Sequence, residues 1–128
     1  MKQYILIGKI ISGKGEGAKF LKLPWVRTQI KEKLGFNPYP GTLNLKLNEE
    51  SSTVKALLIN MKSTKIIPTE GFSSGECFKA KIKDEECAII IPKVENYPAD
   101  IVEIIASENL REKFQFKDGD TVKVEVSI

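Results

Sequence analysis

The sequence predicts a mainly β fold, a small single-domain β-barrel that carries one or two short helices. Short apolar runs recur along the chain, several of them alternating with polar residues, and glycine, proline or acidic turn signals separate them. Helical periodicity is clear in only two places. The 128 residues, 41% of them hydrophobic, suffice for one domain with its own core. No linker or low-complexity tract divides them, so we expect one domain over residues 1–128.

The expected strands are short and closely spaced, as in small barrels. They cover residues 3–12, 18–23, 42–47, 76–83, 86–91, 101–106 and 121–128. Asp84 and Glu85 are expected to form a hairpin turn between two of them. Residues 48–52 read as a polar turn, residues 54–61 fit either a short helix or a strand, and residues 63–75 read as a surface excursion.

Two segments carry helical signals. Pro24 suits a helix start and Gly35 is placed to end the same helix. Between them, apolar side chains repeat every four positions at Val26, Ile30 and Leu34. Residues 107–114 read as a shorter helix with Ser107 as its N-cap. The basic residues of the first helix are interpreted as a solvated face.

Residues 37–47 pass from a rigid turn into a strand. Two prolines fix φ angles in the turn, and Gly41 follows without a Cβ. Leucines then alternate with polar residues, so Thr42 and Asn44 are expected side by side on the polar face. A hydroxyl and an amide oxygen at this spacing are hard ligands that suit Mg²⁺, which completes its shell with water and phosphate oxygens. The same pattern, taken alone, also fits an ordinary half-buried strand.

A glycine-rich loop follows the first strand, with the sequence Gly13-Lys14-Gly15-Glu16-Gly17. Glycines at alternate positions let backbone amides approach a ligand closely, and successive exposed amides bind phosphate oxygens. The spacing is not that of the P-loop pattern GxxxxGK[ST], and Ala18 stands where the pattern GxGxxG has its third glycine. A loop of this kind is also common in simple hairpins.

The amino-acid composition limits the kinds of catalysis, metal site and ligand that we expect. The chain has no histidine, which excludes His-dependent catalysis and nearly excludes a zinc site of the usual kind. Cys77 and Cys87 do not form a CxxC pair and are expected to be reduced core residues, with a disulfide between neighbouring strands as the alternative. The net charge of +3 suits a small anionic ligand but is too weak to indicate nucleic acid binding. No apolar run approaches the length of a membrane span, and the first residues do not resemble a signal peptide.

Glu103 interrupts the apolar run from Ile101 to Ala106. A carboxylate in such a run either faces solvent at a sheet edge or is directed into a site, where it is a candidate base. Without histidine, a base has to be a carboxylate, a lysine, a tyrosine or water. Phosphoryl transfer is the leading reaction for such a chain, because it depends mainly on positioning and charge neutralisation.

Together these residues resemble the CTP-dependent riboflavin kinase family of archaea. The resemblance rests on segments that follow in the family's order: Gly13 to Gly17, Gly35-Phe36, Pro38 to Leu45, Ile101 to Ala106 with Leu110-Arg111, and Asp118-Gly119-Asp120. Each segment is weakly specific by itself, but the ordered set covers essentially the whole chain. The resemblance implies a cradle-loop β-barrel. The winged-helix domain that some members carry before the barrel is not expected in this chain.

The resemblance also implies a reaction, the Mg²⁺-dependent transfer of the γ-phosphoryl group of CTP to the 5′-hydroxyl of riboflavin, with FMN and CDP as products. It implies two nucleotide-binding segments, which comprise Gly13, Lys14, Gly15, Glu16, Gly17 and Ala18, and then Glu108, Asn109, Leu110 and Arg111. It assigns the Mg²⁺ to Thr42 and Asn44, and a flavin contact to Glu103. As the only candidate found for the purpose, Glu103 is also expected to orient and deprotonate the ribityl hydroxyl.

One position departs from the family pattern. The loop before Glu103 often has a threonine where this chain has Glu95, so the second flavin contact is assigned to Glu95, with its neighbour Asn96 as the alternative. The aromatic residues Tyr39, Tyr97 and Trp25 are candidates for stacking on the flavin, and packing explains each of them equally well. We expect a monomeric cytoplasmic enzyme without nucleic acid or membrane partners.

Other functions fit parts of the same pattern. The main alternative is a non-catalytic β-barrel module that binds a nucleotide, a nucleic acid or a protein, and its nucleic-acid form would need a basic stripe with exposed aromatics. A different phosphotransferase would share the glycine-rich loop and the pair of Thr42 and Asn44, since these explain phosphate and metal but not flavin. A transcription regulator with a sensing barrel would need a DNA-binding element, and the sequence shows none.

Overall fold

The computed structural model describes residues 2–13, 15–68 and 74–128, with Glu16 described by its backbone. Within these ranges the strands are β1 (Gln3–Ile11), β2 (Leu43–Leu47), β3 (Thr64–Ile66), β4 (Gly75–Ile82), β5 (Glu85–Pro92), β6 (Ile101–Ile105) and β7 (Thr121–Ser127). The helices are α1 (Glu16–Leu21), α2 (Pro24–Leu34), α3 (Glu49–Leu58) and α4 (Leu110–Lys113). None of the described helices is long and apolar enough to cross a membrane.

Six of these strands form a closed antiparallel barrel in the order β4-β5-β6-β2-β1-β7. The barrel closes where β7 pairs with β4, with Ala80 opposite Val126 and Lys81 opposite Glu125. The short strand β3 pairs with the first residues of β4. Closure gives each barrel strand a partner on both sides, which removes the free edges of an open sheet. The predicted fold class, a mainly β small barrel, is confirmed.

Two apolar clusters lie on opposite faces of the barrel wall. The inner cluster takes alternate residues from every barrel strand, as the period of two requires. It contains Leu6, Ile10, Leu43, Leu45, Leu47, Phe78, Ala80, Ile82, Cys87, Ile89, Ile91, Val102, Ile104, Val122, Val124 and Val126, joined by Leu58, Ala106 and Leu110. The outer cluster packs α1 and α2 against the other face of β4, β5 and β6. It contains Leu21, Val26, Ile30, Leu34, Ile66, Cys77, Ala88, Ile90 and Ile105.

The helix predicted after Pro24 is confirmed as α2, with Gly35 at its C-cap in the left-handed region at φ 86°. The strand predicted for residues 18–23 is wrong, because this segment lies mostly in α1. Its adjacent apolar pair, Phe20 and Leu21, does not alternate. Leu21 is fully buried in the outer cluster, and the Phe20 ring meets the Trp25 ring edge to face at 5.8 Å.

The segment after β2 is helical, and the helix includes the polar residues at its beginning. The turn predicted at residues 48–52 is wrong, because Asn48 caps α3 by accepting a hydrogen bond from the Ser51 amide at 2.8 Å. Of the two readings of residues 54–61, the helix is therefore correct as far as Leu58. In the predicted surface excursion, residues 64–66 form β3, and residues 69–73 lie outside the described residues.

The position of the β4–β5 turn and the start of the last helix also differ from the prediction. The β4–β5 hairpin turn falls at Lys83 and Asp84, one residue earlier, and both have positive φ. The last helix is capped by Asn109, whose side chain accepts a hydrogen bond from the Glu112 amide, and not by Ser107. The helix begins two residues later than predicted, so the carboxamide of Asn109, and not the hydroxyl of Ser107, lies at the N-cap position.

Both cysteines are free and buried, as predicted. Cys77 belongs to the outer cluster and Cys87 to the inner one, so the two thiols lie on opposite faces of the sheet. Burial raises the pKa of each thiol to about 12.

Thiol labelling tests this burial. At pH 8 roughly one thiol in ten thousand would be ionised at such a pKa, and the thiolate is the reactive form. We expect neither Cys77 nor Cys87 to react with iodoacetamide in the folded protein, and both to react in denaturant. Mass spectrometry counts the adducts, and rapid labelling of the folded protein would contradict the arrangement.

Candidate functional site

Three oxygen-bearing side chains converge on the outer face of β2 and β6. Asn44 lies opposite Glu103 in the antiparallel register of these strands, and Thr42 lies just before β2. The Thr42 hydroxyl donates to Asn44 Oδ1 at 2.7 Å, and its oxygen is 3.5 Å from Glu103 Oε1. Since the neighbours Val102 and Ile104 point into the barrel, Glu103 must point outward. The predicted juxtaposition of Thr42 and Asn44 is confirmed.

The glycine-rich loop lies directly over these side chains. A Cβ on Gly13 would collide with the carboxamide of Asn44. A Cβ on Gly17 would lie 2.6 Å from Thr42 Cγ2 and 3.0 Å from Glu103 Oε1. These two glycines are therefore needed because the side chains beneath them occupy the space. Gly15 has a different role, because it caps α1 in the left-handed region at φ 81°.

The loop joins a strand to a helix, and not two strands. It leaves β1 at Ile11 and enters α1 at Glu16. Ala18 lies half-buried in the first turns of α1. Lys14 and the side chain of Glu16, both predicted to contact the nucleotide, lie outside the described part of the chain.

A cleft of about 260 Å³ opens beside Thr42. One wall is the turn before β2 and the other is the segment from β6 to α4. The lining residues are Tyr39, Pro40, Gly41, Thr42, Leu43, Ile104, Ala106, Glu108, Asn109, Leu110 and Arg111. Two hydrogen bonds join the walls: the Tyr39 amide donates to the Ala106 carbonyl at 2.7 Å, and the Asn109 side-chain amide donates to the Tyr39 hydroxyl at 3.3 Å.

An exposed ion pair and a hydrogen bond connect the second wall of the cleft to the start of the glycine-rich loop. Arg111 pairs with Asp118 at 2.8 Å, and the Ser12 hydroxyl donates to the other oxygen of Asp118 at 2.7 Å. These two contacts, the serine first, hold the pKa of Asp118 below its usual value. Asp118 thus links the start of the glycine-rich loop to the cleft. Because the groups are exposed, salt will weaken the ion pair.

The second oxygen of Glu103 has its own partner. Tyr97 donates its hydroxyl hydrogen to Glu103 Oε2 at 2.6 Å. Burial, followed by this hydrogen bond, raises the pKa of Tyr97, so the phenol stays protonated. Tyr97 also lines a second cavity, of about 440 Å³, between α3 and the loop before β6. This cavity is lined mainly by Ser52, Lys55, Ala56, Ile59, Ile91, Pro92, Lys93, Val94, Glu95, Tyr97 and Ala99.

Lys55 supports the loop that carries Tyr97. It is 3% exposed, and its ammonium group donates to the carbonyl oxygens of Pro98 at 2.9 Å and Ile101 at 2.8 Å. The same nitrogen lies 5.0 Å from the centre of the Tyr97 ring. Burial lowers the pKa of Lys55, and the charge of Asp100 acts in the opposite direction.

Sequence comparison identifies the family. A model of the family CTP-dep_RFKase, described as "Domain of unknown function DUF120", matches residues 10–126. The chain belongs to the CTP-dependent riboflavin kinase family. The match covers every described feature of the site, from the glycine-rich loop to Asp118.

Several archaeal proteins named riboflavin kinase are similar to this family member. One from Archaeoglobus fulgidus is 45% identical over 93% of this chain and 53% of its own length. One from Pyrobaculum aerophilum is 43% identical over 94% of this chain and 60% of its own. One from Methanosarcina barkeri is 41% identical over 94% and 56%, respectively. The chain thus spans between half and three fifths of the length of these relatives.

In this riboflavin kinase family member, most predicted site residues lie together. Gly13 and Gly17 contact the group formed by Thr42, Asn44 and Glu103, and residues 108–111 share a cleft with Thr42. Glu95 lines the second cavity, which is linked to Glu103 through the hydroxyl group of Tyr97.

Sequence reasoning missed two supporting residues. Tyr97 was considered for stacking, but its hydrogen bond to Glu103 was not foreseen, because it depends on how the loop before β6 folds back. Lys55 was missed because residues 54–61 fitted both helix and strand, which left the direction of its side chain undetermined. The available signal was a single lysine within the apolar segment Val54-Lys55-Ala56-Leu57-Leu58.

The oxygens of the site fit a small divalent cation. The described residues contain no cluster of three or more His, Cys, Asp or Glu side chains that could hold a metal. The pair of Thr42 Oγ1 and Asn44 Oδ1, 2.7 Å apart, is close to the roughly 2.9 Å edge of an octahedron with Mg²⁺–oxygen distances of 2.0–2.1 Å. A site with two neutral oxygens and an adjacent carboxylate suits Mg²⁺, which keeps several ligands from water or substrate.

Gly17→Ala tests the contact between the loop and the site. In a helix, alanine is ordinarily favoured over glycine by about 0.5–1 kcal/mol, so a variant without a clash would be more stable. We expect instead a loss of about 1–3 kcal/mol, because the new Cβ overlaps Thr42. Denaturant unfolding measures it. Gly75→Ala is the control, since its Cβ would meet Ile90 at an ordinary 3.6 Å, and a stabilised Gly17→Ala protein would contradict the packing.

Proposed function

We propose that this chain is a CTP-dependent riboflavin kinase that transfers the γ-phosphoryl group of CTP to the 5′-hydroxyl of riboflavin, forming FMN and CDP. The observation that carries the proposal is the packing of the glycine-rich loop on Thr42, Asn44 and Glu103. This packing puts amides suited to phosphate, oxygens suited to Mg²⁺ and a carboxylate suited to a hydroxyl group in one place. Family membership supports the assignment of riboflavin and CTP as the substrates.

The nucleotide would occupy the loop and the adjacent cleft. The backbone of residues 13–18 would bind the phosphates, because Gly13 and Gly17 bring the chain close to the site without side chains of their own. The 260 Å³ cleft, lined by Glu108, Asn109, Leu110 and Arg111, would take the nucleoside part. The preference for CTP over ATP is supported by the family's label and by no particular contact.

Thr42 and Asn44 would hold the Mg²⁺, as their spacing allows. When bound, the ion neutralises charge on the phosphate oxygens of the nucleotide. The pair lies beneath Gly13 and Gly17, where phosphates bound by the loop would arrive. The chain itself then has two tasks, to hold the nucleotide and to present the acceptor hydroxyl.

Glu103 would present that hydroxyl. Its Oε1 faces Thr42 and the glycine-rich loop, whereas Oε2 is occupied by Tyr97. Oε1 would accept a hydrogen bond from the riboflavin 5′-hydroxyl and take its proton as the new oxygen–phosphorus bond forms. The bond from the γ-phosphorus to the bridging oxygen breaks at the same time, and CDP leaves with that oxygen.

The flavin ring would lie in the 440 Å³ cavity on the far side of Tyr97. Its size and its lining by Ile59, Ile91 and Val94 suit a flat aromatic ring. Glu95 lines the same cavity and would make the second flavin contact, with Asn96 beside it as the alternative. Tyr97 would then contact both the ring and the carboxylate that handles the hydroxyl.

The remaining expectations belong to the same proposal. The chain would act as one domain, because the described strands form one sheet around one inner cluster. It would act as a monomer. It would act in the cytoplasm, where CTP is available, with small molecules and no nucleic acid or membrane as its partners.

A turnover assay tests the proposal. Purified protein is incubated with riboflavin and Mg²⁺, and with either CTP or ATP, and FMN is separated by chromatography. We expect FMN with CTP and none with ATP. FMN formed with ATP alone would keep the phosphotransferase and reject the nucleotide assignment. A folded protein that forms no FMN with any nucleotide would favour the non-catalytic binding module.

Glu103→Gln should lower turnover strongly and keep nucleotide binding. The amide keeps the shape of the side chain but cannot accept the hydroxyl proton, so we expect kcat to fall at least about 100-fold. CDP binding, measured by calorimetry, should change little. Glu125→Gln, on the exposed outer side of β7, is the matched control. Wild-type turnover in the Glu103 variant would remove this residue from the chemistry.

Thr42→Val combined with Asn44→Leu should weaken Mg²⁺-dependent binding while the fold survives. Both substitutions remove an oxygen ligand and keep the number and branching of the side-chain heavy atoms, and we expect the Mg²⁺ concentration for half-maximal activity to rise at least about tenfold. Circular dichroism checks the fold. Thr53→Val, on the exposed face of α3, is the control. An unchanged Mg²⁺ titration would reject the assignment of the metal to this pair.

A further inference from the structure

The two oxygens of Glu103 have different surroundings, and Tyr97 causes the difference. Oε2 accepts a hydrogen bond from the Tyr97 hydroxyl at 2.6 Å, a short distance for an O–H group bonded to a carboxylate. Oε1 lies near Thr42 and under Gly17. Without the phenol, the plane of the carboxylate would lose its partner on this side and could turn about the last side-chain torsion. With it, the plane is held so that one oxygen stays directed toward Thr42 and the glycine-rich loop.

The phenol is itself held from two directions. Lys55 fixes the ends of the short segment after Tyr97 through the carbonyls of Pro98 and Ile101. Its ammonium group also lies 5.0 Å from the ring centre, where the attraction between cation and ring favours this position of the ring. Besides Tyr97 and Lys55, the charged groups near this loop include Lys93 and Glu95, which line the same cavity, and Asp100, whose charge acts on Lys55.

A buried lysine is costly unless its ammonium group is hydrogen-bonded, and here the carbonyls of Pro98 and Ile101 supply the hydrogen bonds. The same bonds fix the loop between the second cavity and β6. The contacts from Lys55 to Tyr97 and from Tyr97 to Glu103 lead from the buried face of α3 to the outer face of β6. They connect the second cavity, which Tyr97 lines, to the carboxylate beneath the glycine-rich loop.

We propose that Tyr97 is a positioning residue, which orients Glu103 so that Oε1 receives the acceptor hydroxyl, and that Lys55 holds Tyr97 in place for this purpose. The inference rests on the proposed function, since it assigns a role in the same reaction. It differs from that proposal in its test, because the wild-type protein can be an active kinase whether or not Tyr97 has this role.

Tyr97→Phe removes the hydroxyl and keeps the ring that lines the cavity and faces Lys55. We expect kcat to fall about 10- to 100-fold, the range for one hydrogen bond to a charged group. KM for CTP should stay the same, because the ring and the cleft are unchanged. KM for riboflavin should change little, because the Phe ring fills the same space.

The split between kcat and KM separates positioning from packing. A hydroxyl that only fills space beside the second cavity would change KM for riboflavin and leave kcat as it is. A hydroxyl that orients Glu103 changes kcat while KM for CTP and KM for riboflavin stay nearly the same. Tyr97→Phe should therefore show its loss in kcat.

Tyr4→Phe is the matched control, since Tyr4 packs against the inner cluster on β1, away from the site. It should retain wild-type kcat and KM. A double variant with Glu103→Gln completes the test: if Tyr97 acts through Glu103, adding Tyr97→Phe to Glu103→Gln should lower kcat no further. Lys55→Met, which removes the support of Tyr97, should also lower kcat.

Each outcome decides the proposal. Tyr97→Phe with wild-type kcat, or with a loss confined to KM, overturns it while the kinase assignment stands. Additive losses in the double variant overturn it as well. An inactive wild-type protein overturns the kinase assignment first, and the positioning role falls with it. If Lys55→Met does not fold, Tyr97→Phe alone still gives the answer, because it leaves the bonds of Lys55 intact.

Discussion

The register between β2 and β6 is the constraint on which the site depends. It puts Asn44 opposite Glu103 on the outer face while their neighbours Leu45 and Val102 fill the barrel. A shift of one residue would bury the polar side chains and expose the leucines, so the hydrophobic core fixes the site's geometry. The same strands thus supply core side chains on one face and the polar side chains of the candidate site on the other.

The covering loop depends on that register too. Gly13 and Gly17 can lie against the site only because they have no side chains, and the turn into α1 begins at Gly15. Behind the carboxylate, Tyr97 and Lys55 hold Glu103 from the side opposite the loop. Glu103 is therefore fixed between a backbone that fits closely over it and a hydrogen-bonded support.

The sequence predicted the parts of the fold whose patterns are local. The alternation of Leu43, Leu45 and Leu47 placed β2 and the pair of Thr42 and Asn44, and Pro24 with Gly35 bounded α2. The prediction of a strand at α1 was wrong because a run of six residues is too short to show a helical or a strand period. The packing of Leu21 in the outer cluster favours the helix, and this contact is not visible in the local pattern. The link from Lys55 to Glu103 joins residues 48 positions apart, and local patterns hold no information on such contacts.

The separation of the two faces has a practical consequence for engineering. The inner cluster draws its side chains from all six barrel strands and shares none of them with Thr42, Asn44 or Glu103. Leu43, Ile104, Ala106 and Leu110 also line the cleft, and Ile91 lines the second cavity. Conservative repacking at inner positions that line neither, such as Leu6, Val122 and Val124, can therefore raise thermal stability while the outward side chains keep their places, provided that strand spacing is preserved. At those positions, resistance to heat and the geometry of the candidate site are separately adjustable, unlike in folds whose functional site lies within the core.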